Sequence, residues 1–403
     1  MRLKAEASIL EEPGAGKSHA RICAGAVGQL AVLPRWLPEK TKEENVNDKT
    51  KKLQNLLDAQ IGKGGIHNIV AAVQSYDRSI DFAGGSGIAD PYTDAAMTPG
   101  TPYFIASITK MYTAVIVLRL YEKKSIDLDA PISQYLPASL RRGIHIYKGT
   151  DYSDRIKVSE LLSQTSGLAD YEADKPRGGK SVIDELKAGH DRSIDTAEAI
   201  DIIRRLSPHF PPGTRGKAYY ANTNYRLLGA IIEIATGKSM KTNFEEMIFR
   251  PLGLQHTYLY DWTVPPADEI PATIFMKDAP ANVPKYLSSN TSDGGIVSTA
   301  SECILFLRAF FEGQLFNKAL LEQMTNWNSI FFPLRYGYGL MYFQLPSFFW
   351  PTPLPEFIGH SGSIGSFAFV CPSRSLYLAG TVNLIASPAR PFFLMIDLVR
   401  AAS

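Results

Sequence analysis

The sequence predicts an α+β fold in which one sheet is completed by both ends of the chain and a helical block is inserted between them. Three observations predict it. β-type residues cluster early, at Asn68–Val73 and Ser79–Phe82, and again late, between Tyr336 and Leu384. Residues 180–255 instead carry apolar residues at the helical period. A proline-rich, irregular stretch, 262–290, suits a loop wrapping back over the protein before the late strands begin. Strand–helix–strand order of this kind belongs to the layered α+β architectures.

Residues 1–40 are mixed polar, glycine-rich and without a period, and an extended or disordered tail is expected there. They contain Gly14-Ala15-Gly16-Lys17-Ser18. A phosphate loop, however, needs glycine where Glu11 stands and a strand before it, so nucleotide binding through Lys17 is not expected. The apolar run Ile22–Leu33 could pass for a signal segment. Glu6, Glu11 and Glu12 spoil the basic leader and no A-x-A site follows, so a cytoplasmic location is expected, with periplasmic or secreted as the alternative.

From Glu43 to Ala59 a polar helix is expected, with Leu53, Leu56 and Leu57 on its inner stripe. Asn68–Val73 and Ser79–Phe82, joined through Tyr76-Asp77-Arg78, begin a sheet as a hairpin. After the breakers Pro99-Gly100-Thr101-Pro102 a helix opens near Ile105. Its apolar residues Ile108, Met111, Tyr112, Val115, Leu118 and Tyr121 predict one buried face. Lys157–Leu162 leads into the small-residue turn Ser163–Leu168. Thr196–Leu206 and Tyr225–Ala235 read as helices, separated by Pro211-Pro212-Gly213-Thr214. Thr299–Phe311 is a further helix, with Thr299 as cap and Glu302 at the capping-box position. Tyr336–Phe343, Phe367–Cys371 and Tyr377–Leu384 read as strands, the last two joined by a turn at 372–375, and Pro391–Ala402 closes the chain as a helix. The expected organisation is a tail (1–40), an α/β part (41–145 with 290–403) and a mainly helical insertion (146–289).

The whole-chain numbers exclude some functions. A hydrophobic content of 45% and a charged content of 20% are ordinary for a globular protein with a substantial core. A formal charge of +2 favours neither nucleic acid nor an anionic membrane as partner, and no apolar run is long enough for a helical membrane span. Cys23, Cys303 and Cys371 are too scattered for a disulfide framework or a zinc site. No H-E-x-x-H or C-x-x-C pattern is present, so neither a metal nor another cofactor is expected.

Three short patterns carry chemistry. Ser107-Ile108-Thr109-Lys110 sets a hydroxyl and an amine one helical turn apart, a nucleophile beside a base. The competing reading makes Ser107 a helix cap and Lys110 a solvated residue, although a cation in the first turn opposes the dipole. Tyr220-Ala221-Asn222 follows a proline–glycine break, where side chains can point into a cleft, although a packed aromatic and a turn residue would look the same. His360-Ser361-Gly362-Ser363 is a near miss of the G-x-S-x-G elbow, just before a late strand. His360 could equally be a strand-end histidine with a satisfied hydrogen bond.

Taken together and in this order, the three patterns resemble those of the serine β-lactamase/penicillin-binding family, nearest to class C β-lactamases, D-alanyl-D-alanine peptidases and family VIII carboxylesterases. Leu161–Leu168, Pro251-Leu252-Gly253-Leu254 and Gly294–Thr299 are similar too. The resemblance covers roughly residues 43–400. It implies an antiparallel sheet flanked by helices, an all-helical domain beside it and a site in the cleft between.

It also implies roles. Ser107 would form an acyl-enzyme, Tyr220 would shuttle the proton and Lys110 would hold the network. Asn222 would bind the acyl side of the substrate, and the backbone N–H groups of Ser107 and Ser363, beside Gly362, would form the oxyanion hole. Lysine and tyrosine both ordinarily titrate near 10, so the site is expected to lower one of them. His360 departs from the lysine that many class C β-lactamases carry, and a neutral imidazole attracts a substrate carboxylate less than an ammonium does. Hydrolysis of small to medium carboxylic esters is therefore the leading expectation, with Phe331-Phe332-Pro333-Leu334 and Phe348-Phe349-Trp350-Pro351 as possible apolar walls. The alternatives are acyl transfer from the same acyl-enzyme, D-Ala-D-Ala peptidase activity, weak β-lactam hydrolysis, and a peptide-binding module without turnover.

Overall fold

The computed structural model describes residues 42–264, 269–345, 354–385, 387 and 389–403. The expected tail 1–40, with Lys17 and Cys23, and the segment 348–351 lie outside the described residues. Among the described residues the main sheet has nine strands. They are β1 Asn68–Ser75, β2 Asp81–Asp90, β3 Ala95–Ala96, β4 Asn328–Phe331, β5 Leu334–Tyr336, β6 Met341–Phe343, β7 Phe357–Ser361, β8 Ser366–Cys371 and β9 Leu376–Thr381. Their spatial order is β4-β5-β6-β7-β8-β9-β1-β2-β3, and every neighbouring pair is antiparallel. The early and late segments thus meet in the middle, where β1 pairs with β9 from Val70↔Thr381 to Ser75↔Leu376.

β1, β8 and β9 are buried along their whole length, because helices cover both faces. On one face lies the C-terminal helix Arg390–Ala402, whose Phe392 ring packs on Phe369 and Phe343. The helix Ala300–Glu312 covers the other face. Its Arg308 donates to Gln74 and lies 4.9 Å from the Tyr377 ring centroid, and these two residues are register partners facing away from Phe369. Thr299 caps that helix, accepting from the Glu302 N–H at 3.3 Å. The expected capping box does not form. The Glu302 carboxylate instead accepts from the backbone N–H groups of Gln255 and His256, tying the insertion to this helix.

Some expected strands and helices change character. The stretch Tyr336–Phe343 is not one strand: β5 and β6 turn back on each other through Gly337–Leu340. The helix after Ile105 starts as a three-ten turn, Ala106–Ile108, and continues as Thr109–Glu122. It buries nearly every residue rather than one face, because the Asn222–Thr236 and Met240–Phe244 helices pack against it and Phe306 of the Ala300–Glu312 helix reaches it as well. The Tyr112 and Phe306 rings, stacked 3.6 Å apart, mark the last of these contacts.

One hydrophobic core runs from the sheet through this helix into the insertion. A small three-stranded sheet then fixes where the central helix begins: Ile296–Ser298 pairs with Tyr103–Phe104 on one side and Tyr258–Leu259 on the other. Among the described residues no helix is long and apolar enough to cross a membrane.

Candidate active site

Ser107 sits at the junction of a strand and a helix. Pairing holds Tyr103–Phe104 in place, and the Ile105 N–H donates to the Ile296 carbonyl at 2.9 Å. The chain then turns sharply at Ala106, whose φ of 49° is left-handed backbone. For a residue with a Cβ this conformation costs on the order of 1–3 kcal/mol, and it persists only where surrounding contacts enforce it. Here they do: the Ser366 hydroxyl donates to the Ile105 carbonyl at 2.8 Å, and the Thr109 hydroxyl accepts from the Ile296 N–H. The turn leaves Ser107 half-buried at the start of the helix.

Lys110, one turn on, is fully buried. Its Nζ lies 3.1 Å from Ser107 Oγ, 2.7 Å from Asn222 Oδ1 and 2.6 Å from the Asp293 carbonyl oxygen. The solvated-lysine reading is thereby excluded. An ammonium has three protons, and three oxygens surround it. Two of these oxygens can only accept. A neutral Lys110 would give its two protons to them and turn its lone pair toward the Ser107 hydroxyl, which is the geometry a general base requires.

Tyr220 comes from the segment before the Asn222–Thr236 helix. Gln164, itself at a φ of 63°, brackets it: its carbonyl accepts from the Tyr219 N–H and its side-chain Oε1 accepts from the Ala221 N–H, both at 2.9 Å. Next door, Tyr219 donates to Asp174 at 2.7 Å and stacks on His209, which contacts the same carboxylate at 2.9 Å. Tyr220 is thus delivered to Ser107 and Lys110, with Nζ 5.2 Å from its ring centroid.

Burial raises the Tyr220 phenol above its ordinary value, and this outweighs the opposing pull of Lys110 and of a hydrogen bond to Ser107. The expected lowering of the tyrosine is therefore absent, and at neutral pH Tyr220 is a protonated phenol. Asn222 is present but occupied. Its oxygen accepts from Lys110 and its Nδ2 donates to Glu172 Oε2 at 2.7 Å.

His360 does not face the cavity. It is fully buried in β7, with Nδ1 2.7 Å from the Ser361 carbonyl and Nε2 3.2 Å from the Tyr336 hydroxyl. Burial first, and then the positive charge of Lys110, push its pKa down to about 3, so it is neutral. Direct substrate contact by His360 is corrected on this ground. The strand-end histidine with satisfied hydrogen bonds is the reading that fits.

Gly362 and Ser363 form the β7–β8 turn. A Cβ on Gly362 would lie 2.8 Å from Ala106 Cβ and 2.9 Å from the Ile105 carbonyl, so only glycine lets this turn close on the loop that carries Ser107. Ser363 then lines the cavity beside Ser107. The backbone N–H groups of Ser107 and Ser363 have no acceptor among the described residues.

The cavity has a volume of about 560 Å³. Ser107, Tyr220, Asn222, Glu172 and Asp293 form its polar end. Phe104, Ile183, Leu186, Ile274, Leu287 and Ile364 form the apolar end, several of them from a satellite core under the small sheet. Phe331 and Phe332, expected as walls, are instead exposed on the β4–β5 hairpin at the outer edge of the main sheet.

Sequence reasoning missed the acidic part of the polar end. Asp170, Glu172 and Asp293 are buried with Tyr171, Arg226 and Asn290. The Tyr171 hydroxyl lies 2.8 Å from both Glu172 Oε1 and Asp293 Oδ2, and it accepts from Arg226 at 2.6 Å. The one available signal was position. Asp170 and Glu172 follow the Ser163–Leu168 turn, and Asp293 immediately precedes Gly294-Gly295. Among the described residues no group of histidine, cysteine, aspartate or glutamate could hold a metal ion.

An antiparallel sheet with a helical insertion, and a lysine buried against a serine where the two meet, is the arrangement of the β-lactamase and penicillin-binding class. The sequence comparison agrees. The family model "Beta-lactamase" matches residues 53–392, and the chain belongs to that family of hydrolases. Teichoic acid D-alanine hydrolase of Staphylococcus aureus is 28% identical over 239 residues, which is 58% of this chain and 53% of that protein. The chain spans about half the length of the curated relatives it matches. Among solved structures, a D-stereospecific amidohydrolase from Streptomyces sp. superposes with a TM-score of 0.67 at 25% identity, covering 88% of this chain and 98% of that one. EstCE1, a hydrolase with promiscuous acyltransferase activity, has a TM-score of 0.71 at 20% identity, with 89% and 99% covered.

Proposed function

We propose that the protein is a serine hydrolase that forms an acyl-enzyme on Ser107 and acts as a carboxylesterase on small to medium esters. One observation carries this reading: Lys110 Nζ and the Tyr220 phenol both reach the Ser107 hydroxyl at the polar end of a largely apolar cavity. Lys110 accepts the Ser107 proton as the hydroxyl attacks the ester carbonyl. The N–H groups of Ser107 and Ser363 stabilise the oxyanion. The protonated Tyr220 gives its proton to the leaving alkoxide and regains one from Lys110. Water, entering by the same route in reverse, releases the acid.

An ester is favoured over a substrate with a terminal carboxylate because the histidine of the third motif is buried and uncharged. Arg226 is enclosed against Asp293, and the cation that lines the cavity among the described residues is Lys187, on its exposed side. The likeness to EstCE1 supports the fold needed for such a reaction.

The test is turnover of p-nitrophenyl butyrate, with Ser107→Ala as control, beside labelling by a fluorescent penicillin. Turnover that falls by 10⁴-fold or more in the variant is expected, on the order seen when a catalytic nucleophile is removed. Penicillin labelling of Ser107 without ester turnover would replace the esterase by a peptidase.

A further inference from the structure

The acidic end of the cavity has no part in the hydrolysis proposed above, and it is out of balance. Asp170, Glu172 and Asp293 are 4%, 8% and 2% exposed, and the cations buried among them are Lys110 and Arg226. With the three carboxylates ionised and Arg226 charged, the cluster holds at least one negative charge too many, whether Lys110 is protonated or, as the base of the proposed reaction, neutral. An uncompensated buried charge is strongly unfavourable, so these side chains by themselves favour retaining a proton. Burial, reinforced by the charge of Glu172, raises Asp170 to about 8, and burial and Asp293 raise Glu172 as well.

Hydrogen-bond donors are also short. The single proton of the Tyr171 hydroxyl faces two carboxylate oxygens at 2.8 Å, and it can serve one of them. Asp293 Oδ1 is buried without a partner among the described residues. Glu172 accepts from Tyr171, Asn222 and Tyr286, and a carboxylate with about four lone-pair sites keeps accepting capacity beyond those bonds. Glu172 and Asp293 both line the cavity, together with the amide side chain of Asn290. From Ser107 Oγ the path to Glu172 runs through Lys110 and Asn222, by contacts of 3.1, 2.7 and 2.7 Å. Ser107, Glu172 and Asp293 line the same cavity, so one bound molecule can face the nucleophile and the carboxylates together.

We propose that Glu172 and Asp293 form a subsite for a protonated amine on the acyl group, so that the preferred substrates are esters or amides of amino acids. An ammonium brings one positive charge and three donors, which are the two quantities the cluster lacks. A neutral acyl chain would bury the same carboxylates with neither. This inference rests on the serine-hydrolase reading for its chemistry but not for its binding test.

The binding test uses Ser107→Ala and two ligands of equal shape, alaninamide and isobutyramide, titrated by ligand-observed NMR at pH 7. Alaninamide is expected to bind at least tenfold more tightly, and the contrast is expected to vanish in Ser107→Ala/Glu172→Gln. Equal binding of the two ligands, or binding of neither, overturns the subsite. Should the double variant fail to fold, the contrast on Ser107→Ala alone decides.

Turnover separates this inference from the reading beneath it. Wild-type enzyme is expected to hydrolyse alanine methyl ester with a kcat/KM at least tenfold above that for methyl isobutyrate. Preferential alaninamide binding without turnover of either ester would sink the hydrolase reading and leave the ammonium subsite standing. Turnover that favours methyl isobutyrate would sink the subsite alone.

Discussion

Lys110 and His360 flank Tyr220 from different elements, and both are completely buried, yet burial has opposite consequences for their chemistry. Lys110 enters a pocket with three oxygens in reach, among them the hydroxyl it would activate. His360 has one carbonyl and one phenol, and burial holds it neutral at neutral pH. The difference lies in what the surroundings offer each group. Buried among acceptors, an amine is a poised acid–base group; an imidazole sealed in a sheet with its two partners is a packing element.

The comparison breaks most visibly at Lys110. Lys110→Met keeps much of the volume but removes the base, and kcat for p-nitrophenyl butyrate is expected to fall about 10³-fold. A variant that retained a tenth of wild-type kcat would show that the proton goes elsewhere. At His360 the expectation reverses. His360→Gln should keep kcat/KM within tenfold of wild type while lowering the unfolding free energy by about 1–2 kcal/mol, as one buried partner is replaced imperfectly. Steady-state kinetics and urea unfolding on the same preparation check both. A hundredfold kinetic loss at unchanged stability would put His360 back at the substrate.

The smallest effect is one of pH. In the folded protein Asp170 titrates near 8, against about 4 in an unfolded chain. Between those values the native state holds a proton that the unfolded chain has released, so this group makes stability fall as pH rises from about 4 to about 8. Above pH 8 its cost is constant. Asp174 acts in the other direction: burial alone would raise it, but the bonds from His209 and Tyr219 hold it below its ordinary value, and that contribution is lost only as pH falls below about 4. In Asp170→Asn the urea midpoint is therefore expected to vary less between pH 5 and pH 8 than in wild type. An unchanged pH slope would show that the excess proton sits elsewhere in the cluster.

Much of the site was legible because its parts are local. Ser107 and Lys110 are one helical turn apart, so a lysine beside a serine follows from spacing once the helix is accepted. Tyr220 and Asn222 stand next to a break that the prolines announce, and Gly362 marks a close approach that no larger residue allows. The acidic cluster was not legible. Asp170 and Glu172 lie roughly 120 residues from Asp293, and nothing in the run Ala169-Asp170-Tyr171-Glu172 separates buried carboxylates from solvated ones. The apolar walls were misplaced for a related reason. Phe331 and Phe332 are as apolar as Phe104 and Ile364, but position in the sheet order, not hydrophobicity, decides which pair meets a cavity.

By itself the amino-acid sequence determined the periodicities, the breakers and the three short patterns, because these depend on neighbours within a turn or two of the same helix or strand. Tertiary structure alone decided that Lys110 is dry, that His360 is silent and that three carboxylates share two cations. Each of those facts depends on desolvation and on charges brought together across a hundred residues or more, and a linear string holds no measure of either.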